Sequence, residues 1–168
     1  MANITLGGNP VQTSGELPSV GTEISSFRLT KMDLSQLNSE DLRGKKILYN
    51  IFPSINTGVC SKSAKEFNTS AASLEDASVL CVARDLPFAF KNFCDAEGIE
   101  NVICASSYKD DSFEKAFNVS MVDGLFESLF SRAVVVADAE GKVIYTEQVS
   151  EIGEEPNYEA ALAALNGA

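Results

Sequence analysis

Residues 45 to 52, Lys-Lys-Ile-Leu-Tyr-Asn-Ile-Phe, constrain the fold more than any other stretch, because after the two lysines apolar side chains fall on both alternating faces. A strand of that pattern leaves neither face to water, so it belongs in the centre of a sheet with helices on each side. Pro53 and Gly58 stop it, and the spacing of Val59, Ala64, Phe67, Ala71 and Leu74 starts a helix at Thr57 or Cys60 that runs to about Ser73. Cys60 thus stands in a first helical turn. There, unpaired backbone N–H groups and the positive end of the helix dipole favour a thiolate over a thiol. Cys60 reads as a reactive sulfur.

The remaining chain supplies more elements of both kinds. Ile4-Thr5-Leu6, Gly7-Gly8-Asn9-Pro10 and Val11-Gln12-Thr13 read as an N-terminal hairpin within residues 1–14. Phe27 to Thr30 is a short strand, and Ser35 to Gly44 a polar connector holding at most a helical turn. Ser78 to Ala83 is a second central strand, followed by a helix from Phe88 to about Glu97 with Pro87 in its first turn and Gly98 beyond its end. Val102 to Ser106 is a third strand, Ser112 to Phe117 a short helix, and Met121 to Ser131 irregular. Arg132 to Ala137 and Lys142 to Gln148 form a strand pair around Asp138-Ala139-Glu140-Gly141, and a helix from Pro156 to Leu165 ends the chain. This order predicts an α/β domain over residues 1–168, a mixed central sheet flanked by helices with the element order of a thioredoxin-like fold.

Composition removes several functions. There is no histidine, which excludes Ser-His-Asp triads, Cys-His proteases and imidazole metal sites. The cysteines at 60, 81, 94 and 104 contain no Cys-x-x-Cys pair, so an all-cysteine metal site is not expected. A net charge of −11 repels phosphate backbones and anionic lipid, which argues against nucleic acid and membrane as partners. The first ten residues have neither a basic region nor a long apolar run, so a reducing cytoplasm is expected, with cysteines that are catalytic or buried rather than structurally bridged. Cys81 and Cys104 lie inside apolar strands and are expected to be inert core thiols.

Two groups are candidates for assisting Cys60. The Thr57 hydroxyl can cap the helix, hydrogen-bond the sulfur, or do both. Arg132, at the head of an apolar strand, either sits exposed at the strand end or presents two donors to the sulfur and a bound oxygen. A disulfide oxidoreductase, a redox sensor and a non-enzymatic module with four structural cysteines all remain open on these grounds.

The motif Pro53-x-x-x-Thr57-x-x-Cys60, within Asn50 to Cys60, resembles the peroxidatic-cysteine motif of the peroxiredoxins, and in particular their bacterial thiol peroxidase branch. So do Ala83-Arg84-Asp85-Leu86-Pro87-Phe88-Ala89, Phe93-Cys94, Ala96-Glu97-Gly98, Arg132 to Val136 and Glu155-Pro156-x-Tyr158-Glu159-Ala160-Ala161-Leu162. The resemblance runs in order over nearly the whole chain. It implies that Cys60 is the peroxidatic nucleophile, Cys94 the resolving cysteine of the same subunit, Thr57 and Arg132 activators, and Pro53 a shield against water. It also implies reduction of hydrogen peroxide and, preferentially, alkyl or lipid hydroperoxides by a homodimer. It implies further that no cofactor is bound and that reducing equivalents come from thioredoxin, itself served by its reductase and NADPH. Asn56 departs from the branch, which usually carries Asp there.

Overall fold

The structure, a computed structural model, describes residues 1–167. Its centre is the strand the sequence singles out. β5 (Lys46–Ile51) pairs in parallel with β6 (Ala77–Ala83), which pairs in parallel with β7 (Ile103–Ser106). On its other edge β5 pairs antiparallel with β8 (Ala133–Ala137), and β8 with β9 (Val143–Gln148). Beyond β7 lie β3 (Arg28–Lys31) and β4 (Gln36–Asn38), both antiparallel, so the seven-stranded order is β4-β3-β7-β6-β5-β8-β9. β4 stands where a polar connector is expected; with three residues and one apolar side chain, Leu37, it carries no alternation to read. A 3-10 turn over Ser39–Leu42 follows, closed by the Asp41 carboxylate accepting from the Asn38 N–H at 3.0 Å.

Because side chains alternate along β5, Ile47, Tyr49 and Ile51 enter one core while Leu48 and Phe52 enter the other. The first core is closed by α3 (Ser112–Phe117) and a cluster of rings from Phe27, Tyr49, Phe113, Phe117 and Phe130. The second lies beneath α1 (Gly58–Ala71), α2 (Pro87–Glu97) and α4 (Tyr158–Gly167), and it contains all four cysteines. α2 ends as expected, on Gly98 in the left-handed conformation at φ 67°. α4 begins two residues after Pro156, because Asn157 supplies the cap, its side chain accepting from the Ala160 N–H at 3.0 Å.

The hairpin β1 (Asn3–Leu6) and β2 (Asn9–Gln12) stands outside the large sheet and packs Ile4 and Val11 on Met121 and Ile152. Glu151 fastens it. Its carboxylate accepts from the Thr5 hydroxyl at 2.5 Å, the Gly7 N–H at 2.8 Å and the Gly8 N–H at 3.1 Å. These donors, with the Gly153 N–H, hold Glu151 at about 2 against an ordinary 4.5. The stabilisation it contributes is therefore complete above about pH 4.5 and is lost as the pH falls towards 2. We expect the melting-temperature gap between the parent and Glu151→Gln to close over that interval; a gap independent of pH would show that the carboxylate does not anchor the hairpin.

Candidate functional site

Cys60 is the third residue of α1 and is wholly buried. The loop that delivers it, Pro53 to Thr57, leaves β5 with Pro53 and Ile55 buried and Asn56 exposed. Two interactions shape the loop. The Thr57 N–H donates to the Ser54 carbonyl at 3.1 Å, and the Asp85 carboxylate accepts from the Ser54 hydroxyl and the Ile55 N–H, each at 2.7 Å. Asp85 lies between β6 and α2, so one carboxylate joins the start of the helix bearing Cys60 to the start of the helix bearing Cys94. In the sequence Asp85 stands within a motif but shows no role of its own; its place directly after a central strand, where α/β sites gather, is the available clue. Asp85→Ala is expected to lower the unfolding free energy by about 1–3 kcal/mol, the cost of stripping charge-assisted bonds from a half-buried loop, and to slow the reactions of Cys60. Urea unfolding and the rate of thiol alkylation check this; unchanged values in both would remove Asp85 from the site.

Thr57 occupies the N-cap by its backbone, at φ −94° and ψ 150°, but its hydroxyl accepts from no helical N–H. It instead donates to the Ser54 carbonyl at 3.1 Å. Its oxygen is left as an acceptor at the mouth of the helix.

Arg132 is 2% exposed, so it does not sit exposed at a strand end. It precedes β8 rather than opening it. Nε donates to the Ile152 carbonyl at 2.8 Å and Nη2 donates to the Cys60 Sγ at 3.3 Å, across 72 residues of chain. Nη1 is buried without a partner, a donor left free beside the sulfur. Behind it, Lys62 of α1 reaches Glu155 at 3.2 Å, and the Tyr158 hydroxyl donates to the same carboxylate at 2.8 Å. Hydrogen bonds from Tyr158 and Lys62, with the nearby Arg132 charge, hold Glu155 below the usual carboxylate range. Burial, followed by that carboxylate, pushes the Tyr158 hydroxyl up, so it stays a donor at neutral pH. Ile152 is unmarked in the sequence, and Glu155 and Tyr158, though part of a motif that resembles the thiol peroxidases, carry no site role there.

Cys94, near the end of α2, is buried in the same core, yet its sulfur faces Cys104 at 3.7 Å and not Cys60. All four cysteines are free. The structure thus brings together Cys60, Arg132 and the Thr57 loop and leaves Cys94 apart. Among the phenylalanines and leucines of residues 88–93 and 125–130, Phe90 and Phe130 are core, Phe93 is partly buried against the cysteine-containing core, Phe126 and Leu129 pack under the hairpin, and Phe88 and Leu125 are exposed.

A thiol paired with a buried guanidinium at a helix N-terminus is a candidate reactive centre, and comparison with known proteins gives the chain a family. The Redoxin family model matches residues 19–162. The chain belongs to the redoxin family, among its thiol peroxidases. A Mycobacterium tuberculosis protein named thiol peroxidase is 53% identical over 98% of this chain and 99% of that one, and one from Corynebacterium glutamicum is 47% identical over 99% and 100%. The crystal structure of a peroxiredoxin-like protein from Aquifex aeolicus superposes at a TM-score of 0.93, with 33% identity, over 98% of this chain and 96% of that one. The thioredoxin-like architecture expected from the element order holds, and this redoxin is an oxidoreductase of the peroxidase class. Among the described residues no helix is long and apolar enough to cross a membrane.

Proposed function

We propose that the chain reduces hydroperoxides through Cys60, with Cys94 as resolving cysteine and thioredoxin as electron donor. One observation carries this reading: the Cys60 sulfur lies 3.3 Å from one donor of a buried guanidinium whose other terminal nitrogen has no partner. The Cys60 thiolate attacks one peroxide oxygen, the O–O bond breaks, and the second oxygen leaves as alkoxide or hydroxide and takes up a proton. Arg132 Nη1 and the first N–H groups of α1 receive the charge on that oxygen. The Thr57 oxygen, whose own proton is engaged by Ser54, accepts the peroxide O–H. Pro53, buried where the loop leaves β5, keeps water from the sulfur.

The Cys60 sulfenic acid then condenses with the Cys94 thiol, releasing water and forming a disulfide. The two sulfurs face different partners in the reduced protein, so the ends of α1 and α2 unwind to meet. The exposed disulfide is reduced by thioredoxin, renewed by its reductase and NADPH, and no cofactor is held by the chain. A preference for alkyl hydroperoxides is carried over from the resemblance of the sequence to the thiol peroxidase branch. The reading places the enzyme in a reducing cytoplasm as a homodimer.

The test is peroxide-dependent NADPH oxidation with thioredoxin and its reductase, run with cumene hydroperoxide and with hydrogen peroxide. The parent turns over, faster with the cumene substrate, whereas Cys94→Ser consumes its first equivalent of peroxide and then stops. An inactive parent, or a Cys94→Ser protein that recycles normally, overturns the reading. Protection of α2 amides against hydrogen exchange falls on oxidation if unwinding occurs; equal protection in both states removes that step.

A further inference from the structure

The buried thiols that this chemistry leaves unused form a line. On the helix-covered face, Asn50, Cys81 and Cys104 are register partners across β5, β6 and β7. The Asn50 side-chain N–H donates to the Ser63 hydroxyl at 3.2 Å and to the Cys81 sulfur at 3.7 Å, and Ser63 donates to the Cys60 carbonyl at 2.8 Å. At the far end Cys104 Sγ meets Cys94 Sγ at 3.7 Å. Only ten residues separate these two cysteines, and the contact exists with α2 fully formed. A bond between them needs a small closing of the sulfurs and no unwinding of the helix. A bond from Cys94 to Cys60 needs both helix ends to open.

We propose that Cys104 is a second redox partner of Cys94, which takes over the disulfide and frees Cys60 before any external donor arrives. The proposal rests on the Cys60–Cys94 disulfide of the preceding section. The Cys104 thiol loses its proton to solvent and its sulfur attacks Cys94 Sγ. The Cys94–Cys104 bond forms, the Cys60–Cys94 bond breaks, and Cys60 leaves as a thiolate. Oxidation by two electrons passes from the Cys60/Cys94 pair to the Cys94/Cys104 pair, and peroxide is the only oxidant required.

The direction of the exchange follows from the fold. With Cys94 bound to Cys60, α2 is open and Cys104 loses its cover; once Cys94 returns to Cys104, α2 and the first turn of α1 can both re-form. Solvent has a route as well, since Cys104 lines a cleft of about 390 Å³ together with Met32, Lys91, Val102 and Ile103. In the closed protein the Cys81 and Cys94 sulfurs and burial push the Cys104 thiol up, which makes it unreactive until α2 opens and so orders the two steps.

The experiment treats the reduced full-length protein with two equivalents of hydrogen peroxide without donor, alkylates at intervals, and maps disulfides by mass spectrometry. No Lys or Arg lies between Cys94 and Cys104, so Glu-specific cleavage at Glu97 or Glu100 is needed to separate them. In the parent, the Cys60–Cys94 link should decline while Cys94–Cys104 rises and Cys60 becomes oxidisable again, so that two equivalents are consumed. Cys104→Ala and Cys104→Ser should keep the Cys60–Cys94 link and consume one, a twofold difference. If the parent also keeps that link and consumes one equivalent, the proposal is wrong while the resolving role of Cys94 stands. A Cys81–Cys104 link in place of Cys94–Cys104 overturns it equally. If neither parent nor variants form Cys60–Cys94, the reading beneath it fails and takes the proposal with it. The map of the parent decides the matter even where a variant folds poorly.

Discussion

Cys60→Ser is expected to slow peroxide reduction by at least about 10⁴-fold, on the scale of other deletions of a nucleophile. A serine hydroxyl is a far poorer nucleophile than cysteine sulfur, so the residue facing Arg132 can no longer attack the O–O bond. No later step can replace it, because the sulfenic acid needed by Cys94 never forms. The substitution is nearly isosteric, and the hydroxyl can still accept from Arg132 Nη2, so circular dichroism and the melting curve should change little. Stopped-flow measurement of one peroxide turnover separates chemistry from recycling. A Cys60→Ser protein that consumes peroxide at the parental rate would move the reaction to another thiol and sink the assignment.

Arg132→Met ranks second, with an expected loss of about 10²–10³-fold in the same single-turnover rate, the range measured when one preorganised donor to a developing oxyanion is removed. Methionine fills much of the volume without charge. It takes away both the cation 3.3 Å from Cys60 and the free Nη1. Stability should fall, because the Ile152 carbonyl and the Cys60 sulfur lose their donor, an effect offset in part by the desolvation that the guanidinium no longer bears. Arg132→Lys should fall between the two, since one ammonium cannot span the Ile152 carbonyl and the sulfur as the planar fork does. A rate for Arg132→Met within a few fold of the parent would rule out a direct role.

Much of the architecture is legible because its causes are local. The two-faced apolar pattern of β5 marks the sheet centre, and Pro87 and Gly98 bound α2. β4 escapes because three residues are too few to show a period. The start of α4 is misplaced by two residues because Asn157, not Pro156, closes its first turn. At the site, Thr57 is recognisable as the cap residue, but the direction of its hydroxyl follows from the turn that sets Ser54 beneath it.

The sequence by itself determined that a thiol sits at the first turn of a helix leaving a central strand, since propensity, turn chemistry and periodicity act over a few neighbouring residues. Tertiary structure alone decided what that thiol meets. Arg132 is buried against Cys60 because β8 pairs with β5 and the Ile152 carbonyl receives its Nε. Asp85 clamps the loop because β6 ends beside it, and Cys94 meets Cys104 because α2 folds back over β7. Such contacts join residues whose separation in the chain carries no period, and they exist only once burial of both faces of the sheet has overcome the entropy of bringing them together.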